Sequence, residues 1–214
     1  MIESRGLVLY GAGGAGRELA FNLTRSKKDW WLVKGFVDDT MPIGARINGL
    51  PVLGGMEWLM QNDIGVVMCV VANPKLKRKL IEQIKGFQSG IKFPRIINED
   101  SIISKFVEFG EGVVIAQPYN YITVNVKIGN FVWINTRSDI GHDVEIGDYT
   151  TIYTRVNIGG DVRIGKECVI GSGATIRPGT RIGNGVTIGA GAVVVKDVPD
   201  NVTVVGNPAK ILCV

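Results

Sequence analysis

The sequence predicts two domains of different class: a small α/β domain on a parallel sheet over residues 1–100, then a parallel β-helix over residues 101–214. Three observations carry this. From Ile128 to Ile188 every sixth residue is isoleucine, eleven in strict register. Before residue 100, short apolar runs alternate with segments of helical spacing. Between the first apolar run and the first helical segment stands a glycine turn, Gly11-Ala12-Gly13-Gly14-Ala15-Gly16.

A period of six suits neither a helix nor a single strand, and a fixed period marks a repeat architecture. It suits a short straight segment plus a corner. Three units, 18 residues, then close one triangular coil, and the isoleucines stack in columns inside the prism. Ile158-Gly159-Gly160-Asp161-Val162-Arg163-Ile164-Gly165 shows the unit. Most isoleucines are followed by glycine, expected to relieve crowding where the chain bends, and a small or β-branched residue lies four positions on. Each coil buries its aliphatics only against its neighbours. Residues 101–127 repeat less perfectly; Ile102, Phe109, Val114 and Ile122 read as irregular first coils, as end repeats that cap a stack often are.

In the first domain, Gly6 to Tyr10 reads as a buried strand and Arg17 to Arg25 as a helix with Leu19, Ala20 and Leu23 on one side. Trp31 to Val37 reads as a second strand ending at Asp38-Asp39, and Gly49 to Gly54 as a short extended piece. Ile64 to Val71 reads as a third strand, Pro74 to Gly86 as a helix and Phe93 to Ile97 as a last short strand. Alternating elements of these lengths argue for a parallel sheet.

A net charge of +4 suits an ordinary basic surface or anionic ligands, and no Lys/Arg block is long enough to argue for nucleic acid. Lys75-Leu76-Lys77-Arg78-Lys79 reads as the exposed first turns of a helix. Cys69, Cys168 and Cys213 show no metal spacing, and core packing is expected of the first two. Met1 to Arg5 leads straight into a strand, so no signal peptide is expected. The longest apolar run, Ile64 to Ala72, is too short to span a bilayer. The expectation is a cytoplasmic protein with neither membrane nor nucleic-acid partner.

Gly11, Gly13 and Gly16 fit GxGxxG between a strand and a helix. Glycines let backbone approach a diphosphate, and the helix start offers free N–H groups. Asp38 or Asp39, at the end of the second strand, could hold a ribose hydroxyl. These features also suit NAD, but a dehydrogenase needs a catalytic domain after the dinucleotide fold, and here a β-helix follows. His142 is the only histidine. It lies two residues beyond an inward isoleucine, near a corner and facing out. A neutral imidazole suits the deprotonation of a nucleophile near pH 7. Asp143 could orient the ring. One coil later stands Gly160, whose N–H could polarise a carbonyl. One histidine cannot build the three-histidine zinc site of hexapeptide carbonic anhydrases, so no metal is expected.

Together the two halves resemble the sialic-acid O-acetyltransferase/UDP-amino-sugar N-acetyltransferase family of hexapeptide-repeat, left-handed β-helix acyltransferases. The resemblance rests on Tyr10 to Glu18, Gly35 to Asp39, Pro51 to Gly54, His142-Asp143 with Ile146 to Asp148, and the tail Ile188 to Pro199 with Val205 to Lys210. It implies a Rossmann-like first domain that holds a sugar nucleotide, with Gly13, Gly14, Ala15, Asp38, Asp39 and Gly54 as contacts. It implies His142 as general base, Asp143 raising its basicity, and acetyl-CoA as co-substrate. The co-substrate would lie in a groove between β-helices of a homotrimer, with Gly160, Ser172 and Ala190 as contacts. Thr151 stands where many members carry a second histidine toward acetyl-CoA, and Asn98-Glu99 where a His-Pro pair is common. Trp133 and Tyr149, in outer positions, are candidates for the subunit interface.

The reading is acetyl transfer from acetyl-CoA to the amine of a nucleotide-linked amino sugar. Its alternatives are O-acetylation of a sialic-acid-type sugar and a non-catalytic sugar-nucleotide-binding scaffold. Serine acetyltransferases share the repeat but carry a helical first domain that this chain lacks.

Overall fold

The computed structural model describes residues 5–25, 31–62, 64, 67–87 and 90–212; Cys213 and the expected start at Met1 to Ser4 lie outside them. The chain divides into two compact units, Met1–Pro94 and Arg95–Val214.

In the first unit, strand β1 (Arg5–Tyr10) lies inside the sheet with a parallel neighbour on each side. Leu7, Val8 and Leu9 are at most 1% exposed, as continuous apolar runs are when helices cover both faces of a parallel sheet. Helix α1 (Gly14–Arg25) follows, then β2 (Trp31–Val37), β3 (Arg46–Ile47) and β4 (Leu50–Gly54). Helix α2 (Met56–Gln61), β5 (Val67–Cys69) and α3 (Pro74–Phe87) complete the unit. The sheet order is β3-β4-β2-β1-β5, parallel except for the β3–β4 hairpin. Asn48 and Gly49, both at positive φ, form its two-residue turn. Pro74 opens α3, and the Asn73 carboxamide oxygen accepts from the Leu76 N–H at 3.0 Å.

Two features depart from expectation. Lys77 is not on an exposed turn: it is 2% exposed, and burial lowers its pKa to about 7. The six-residue helix α2 is too short to show a helical period.

The second unit is a β-helix with three parallel ladders. Ile122, Ile140, Ile158 and Ile176 pair in one, Ile128, Ile146, Ile164 and Ile182 in the next, and Ile134, Ile152, Ile170 and Ile188 in the third, each step being 18 residues. All eleven isoleucines of the strict repeat are at most 4% exposed. Val132, Val144, Val156, Cys168, Ala174, Val186 and Ala192, four residues after an inward aliphatic, complete the core.

Ile96–Ile97 pairs with Val114 and Ile115, so the strand expected to end the first domain opens the β-helix instead. In the early coils the inward residues are Ile103 and Ile115, one position from the expected Ile102 and Val114; Ile102 is 68% exposed. Ile103 pairs with Ile122, nineteen residues on, so one extra residue sits at the corner before Tyr121. A one-residue slip reverses which side chains face inward.

The glycine after most isoleucines of the strict repeat has a purpose other than bending. A Cβ on Gly141 would stand 2.7 Å from the Gly160 nitrogen, and one on Gly147 2.6 Å from the Gly165 carbonyl carbon. The next coil's backbone allows no side chain there. The left-handed bend falls two residues later and is mostly not glycine: Asn125, Asp143 and Asp161 on one edge, Phe131, Tyr149 and Glu167 on the next, Arg137 and Arg155 on the third, all with φ of 54–62°. Single non-glycine residues in this region cost about 1–2 kcal/mol each, offset by ladders on both sides.

Candidate active site

His142 lies on the corner after the Asp139–Ile140 rung. The Gly141 N–H donates to the Ile158 carbonyl at 2.8 Å, and the His142 carbonyl accepts from the Asp161 N–H at 2.8 Å. This pins the backbone on both sides. The side chain is 65% exposed. Its Nδ1 lies 2.8 Å from an Asp143 carboxylate oxygen. The other Asp143 oxygen accepts from the Asn125 carboxamide at 3.0 Å, one coil earlier. Hydrogen bonds from His142 and then Asn125 hold the Asp143 carboxyl below its ordinary range. An ionised carboxylate only accepts, so Nδ1 carries the proton and Nε2 is the free base.

Gly160 lies beneath the ring. A Cβ there would stand 2.5 Å from the His142 Nε2 and 2.6 Å from Cε1. The bare Cα is therefore the bed of the imidazole, and the glycine is what lets the ring fold over the next coil. No described residue accepts from the Gly160 N–H or the His142 N–H. The structure thus brings together His142, Asp143 and Gly160, and adds Asn125, which sequence reading missed. Counting 18 back from Asp143 would have found it.

The acetyl-CoA candidates divide by position. Ser172 and Ala190 lie on a different corner of the β-helix, where Ser172 joins Tyr119, Arg137 and Arg155 along an open groove of about 530 Å³. Thr151 is on a flat face, paired with Trp133 and Val169, and 1% exposed. Trp133 is 5% exposed with its indole N–H on Asn135 at 2.8 Å, so it is no free surface anchor. Tyr149 is half-buried, stacked on Phe131 at 5.4 Å.

In the first unit the three motif glycines have different tasks. A Cβ on Gly16 would fall 1.9 Å from the Gly11 carbonyl oxygen, so Gly16 is needed for close packing of α1 on β1. Gly11 has φ of 113°. Gly13 and Gly14 face open space at the start of α1, beside half-buried Ala15. Asp38 accepts from the Ala12 N–H at 2.8 Å and from Thr40. Burial pushes its carboxyl up, but bonds from Thr40 and Ala12 outweigh this and hold it below the ordinary range. Asp39 accepts from the Tyr10 hydroxyl and from the Met56 N–H. Both acids brace the loop around the turn. Gly54 is buried, and a Cβ there would stand 2.4 Å from Trp58 Cβ. Its closed face gives it a packing task.

Among the described residues no three His, Cys, Asp or Glu side chains converge as a metal site would. No helix among them is long and apolar enough to cross a membrane. Burial pushes the Cys69 thiol up to about 12 and the Cys168 thiol up to about 11, so neither is a nucleophile near neutral pH.

Residues 125–160 and 161–196 match the family model described as bacterial transferase hexapeptide (six repeats). The whole chain is similar to a variant of perosamine N-acetyltransferase from Caulobacter crescentus, solved with CoA and GDP-perosamine, at 28% identity and a TM-score of 0.89, covering 97% of each chain. It is similar to the acetyltransferase domain of PglB from Neisseria gonorrhoeae, solved with acetyl coenzyme A, at 32% identity and a TM-score of 0.84, covering 98% of this chain and 100% of that one. WeeI from Acinetobacter baumannii matches at 33% identity and a TM-score of 0.84, over 96% and 99% of the two chains. No curated protein matches by sequence.

Proposed function

The chain belongs to the hexapeptide-repeat sugar acetyltransferases, and we propose that His142 is the base with which it moves acetyl from acetyl-CoA to the amine of a nucleotide-linked amino sugar. The observation that carries this role is the exposed imidazole with Nδ1 held by Asp143 and Nε2 left as acceptor. The neutral sugar amine attacks the thioester carbonyl carbon and a C–N bond forms. His142 Nε2 takes the N–H proton. The C–S bond then breaks, the acetamide carbonyl reforms, and CoA leaves as a thiolate that is protonated by the imidazolium or by water. Asp143 stabilises the imidazolium through Nδ1. The unclaimed Gly160 N–H is the candidate donor to the thioester oxygen as negative charge develops.

The parallel sheet with a glycine turn between β1 and α1 supports reading the first unit as Rossmann-like, and the second fits a left-handed β-helix. Gly13, Gly14 and Ala15 are the proposed diphosphate contacts, with Asp38 and Asp39 shaping the loop beside them and Gly54 packing it. The co-substrate residues support a homotrimer: His142 and Gly160 are on one corner of a copy and Ser172 and Ala190 on another. A ligand touching both sets spans two copies packed corner to corner. Thr151 is buried on the face that leads into the Ser172 corner, not on the face between the two corners, and joins that site only if its own face opens. The reading places the reaction in the cytoplasm.

The test is CoA release from acetyl-CoA with a UDP-4-amino-4,6-dideoxy sugar, GDP-perosamine and free sialic acid in parallel. Release with an amino sugar alone is the expected result. Release with sialic acid alone would move the chain to O-acetylation, and silence with all three would favour the non-catalytic scaffold.

A further inference from the structure

We propose that Asn125 is a positioning residue for the His142 base, its carboxamide holding Asp143 in the orientation that claims the Nδ1 proton and leaves Nε2 open. The inference rests on the reading of His142 as base and names a residue that reading did not include.

The geometry is a chain of two short contacts across two coils: Asn125 Nδ2 to Asp143 Oδ1 at 3.0 Å, then Asp143 Oδ2 to His142 Nδ1 at 2.8 Å. The Asp143 side chain is 52% exposed. A single contact to an exposed carboxylate leaves it free to exchange rotamers with water. A second donor, fixed on a neighbouring coil, removes that freedom before the substrate arrives.

Asparagine is not at position 125 merely because the backbone bends there. The same left-handed position is taken by Phe131, Tyr149 and Glu167 on one edge and by Arg137 and Arg155 on another. The fold therefore accepts large, aromatic or charged residues at this φ. What is particular to 125 is a neutral donor facing Asp143. An aspartate there would set two carboxylates about 3 Å apart. Asp161, the equivalent residue one coil after Asp143, is turned toward Arg181 at 3.8 Å and supplies no donor.

His142 is the sole histidine, so its ring gives one set of imidazole signals in a ¹⁵N NMR spectrum of the whole chain. Asn125→Gly is the first variant, because glycine accepts φ near 60° and lacks only the carboxamide. Asn125→Asp removes the donor at nearly equal size, and Asn125→Gln restores one. In the unaltered chain the neutral ring should be the Nδ1–H tautomer. Asn125→Gly and Asn125→Asp should shift it toward a mixture and lower kcat about tenfold, a part of the range general bases contribute, with KM for acetyl-CoA unchanged. Asn125→Gln should recover part of both. A folded Asn125→Gly variant that keeps the Nδ1–H tautomer overturns the proposal, and so does a shifted tautomer with undiminished kcat. A fully active His142→Ala variant would instead show that the base itself is misassigned, whatever the tautomer.

Discussion

Two corners of the β-helix share a backbone and use it in opposite ways. On one, Asn130, Asp148, Lys166, Asn184 and Asp200 stand at the second position after the inward aliphatic residue. All but Lys166, whose ammonium pairs with the Asp148 carboxylate at 3.5 Å, accept from the coil before. Asn130 accepts from the Glu111 N–H at 2.9 Å, Asp148 from the Asn130 N–H at 2.8 Å, Asn184 from the Lys166 N–H at 2.9 Å and Asp200 from the Asn184 N–H at 2.8 Å. On the other corner the same positions are Val124, His142, Gly160 and Pro178. Gly160 has no side chain to accept from His142, and Pro178 none to accept from Gly160. The ladder lapses, no described residue accepts from the His142 or Gly160 N–H, and an imidazole lies in the space where a side chain would have stood. The first corner holds coils together; the second exposes donors and a base.

The contrast predicts that similar substitutions separate activity from stability. Gly160→Ala should lower kcat about a hundredfold, within the range of general-base catalysis, with little change in Tm, because the new Cβ displaces only an exposed ring. Unchanged steady-state kinetics would break the comparison. Gly141→Ala presents a Cβ to backbone that cannot yield, and should cost about 1–3 kcal/mol, read as a lowered Tm. Asp148→Ala leaves the Asn130 N–H unmet and should cost about 1 kcal/mol, with kcat intact in the same assay.

Lys77, in the first unit, offers a control. Its folded pKa lies below that of an unfolded lysine, so between pH 7 and about 10.4 the unfolded chain binds more protons and stability rises with pH. Lys77→Met should flatten that slope in thermal melts from pH 7 to 10 and leave the His142 signals unmoved. The smallest effect is expected of thiol reagents: near pH 7.5, mass spectrometry of the folded protein should find Cys69 and Cys168 unmodified.

The isoleucine columns were legible in the sequence because a strict period leaves one arrangement in which all of them are buried. The early coils were misread by one position because the extra residue before Tyr121 interrupts that period. The left-handed bends were invisible because their occupants, from Phe131 to Arg155, are residues that usually avoid this conformation. His142 and Asp143 were legible as chemistry, being adjacent. Asn125 was not, because its contact runs between coils. Gly160 was legible as the residue one coil after His142, but its use as the bed of the ring was not, since the direction of the histidine ring follows from the bond to Asp143 and not from the repeat.

The central claim is that the corner at His142 performs the proton transfer of acetylation. Its most direct test is single-turnover acetylation of the preferred amino sugar by His142→Ala, after matched circular dichroism and acetyl-CoA affinity show the fold intact. The account predicts a fall of about a thousandfold or more in the chemical step with co-substrate binding retained. A folded variant that acetylates at the unaltered rate would contradict it.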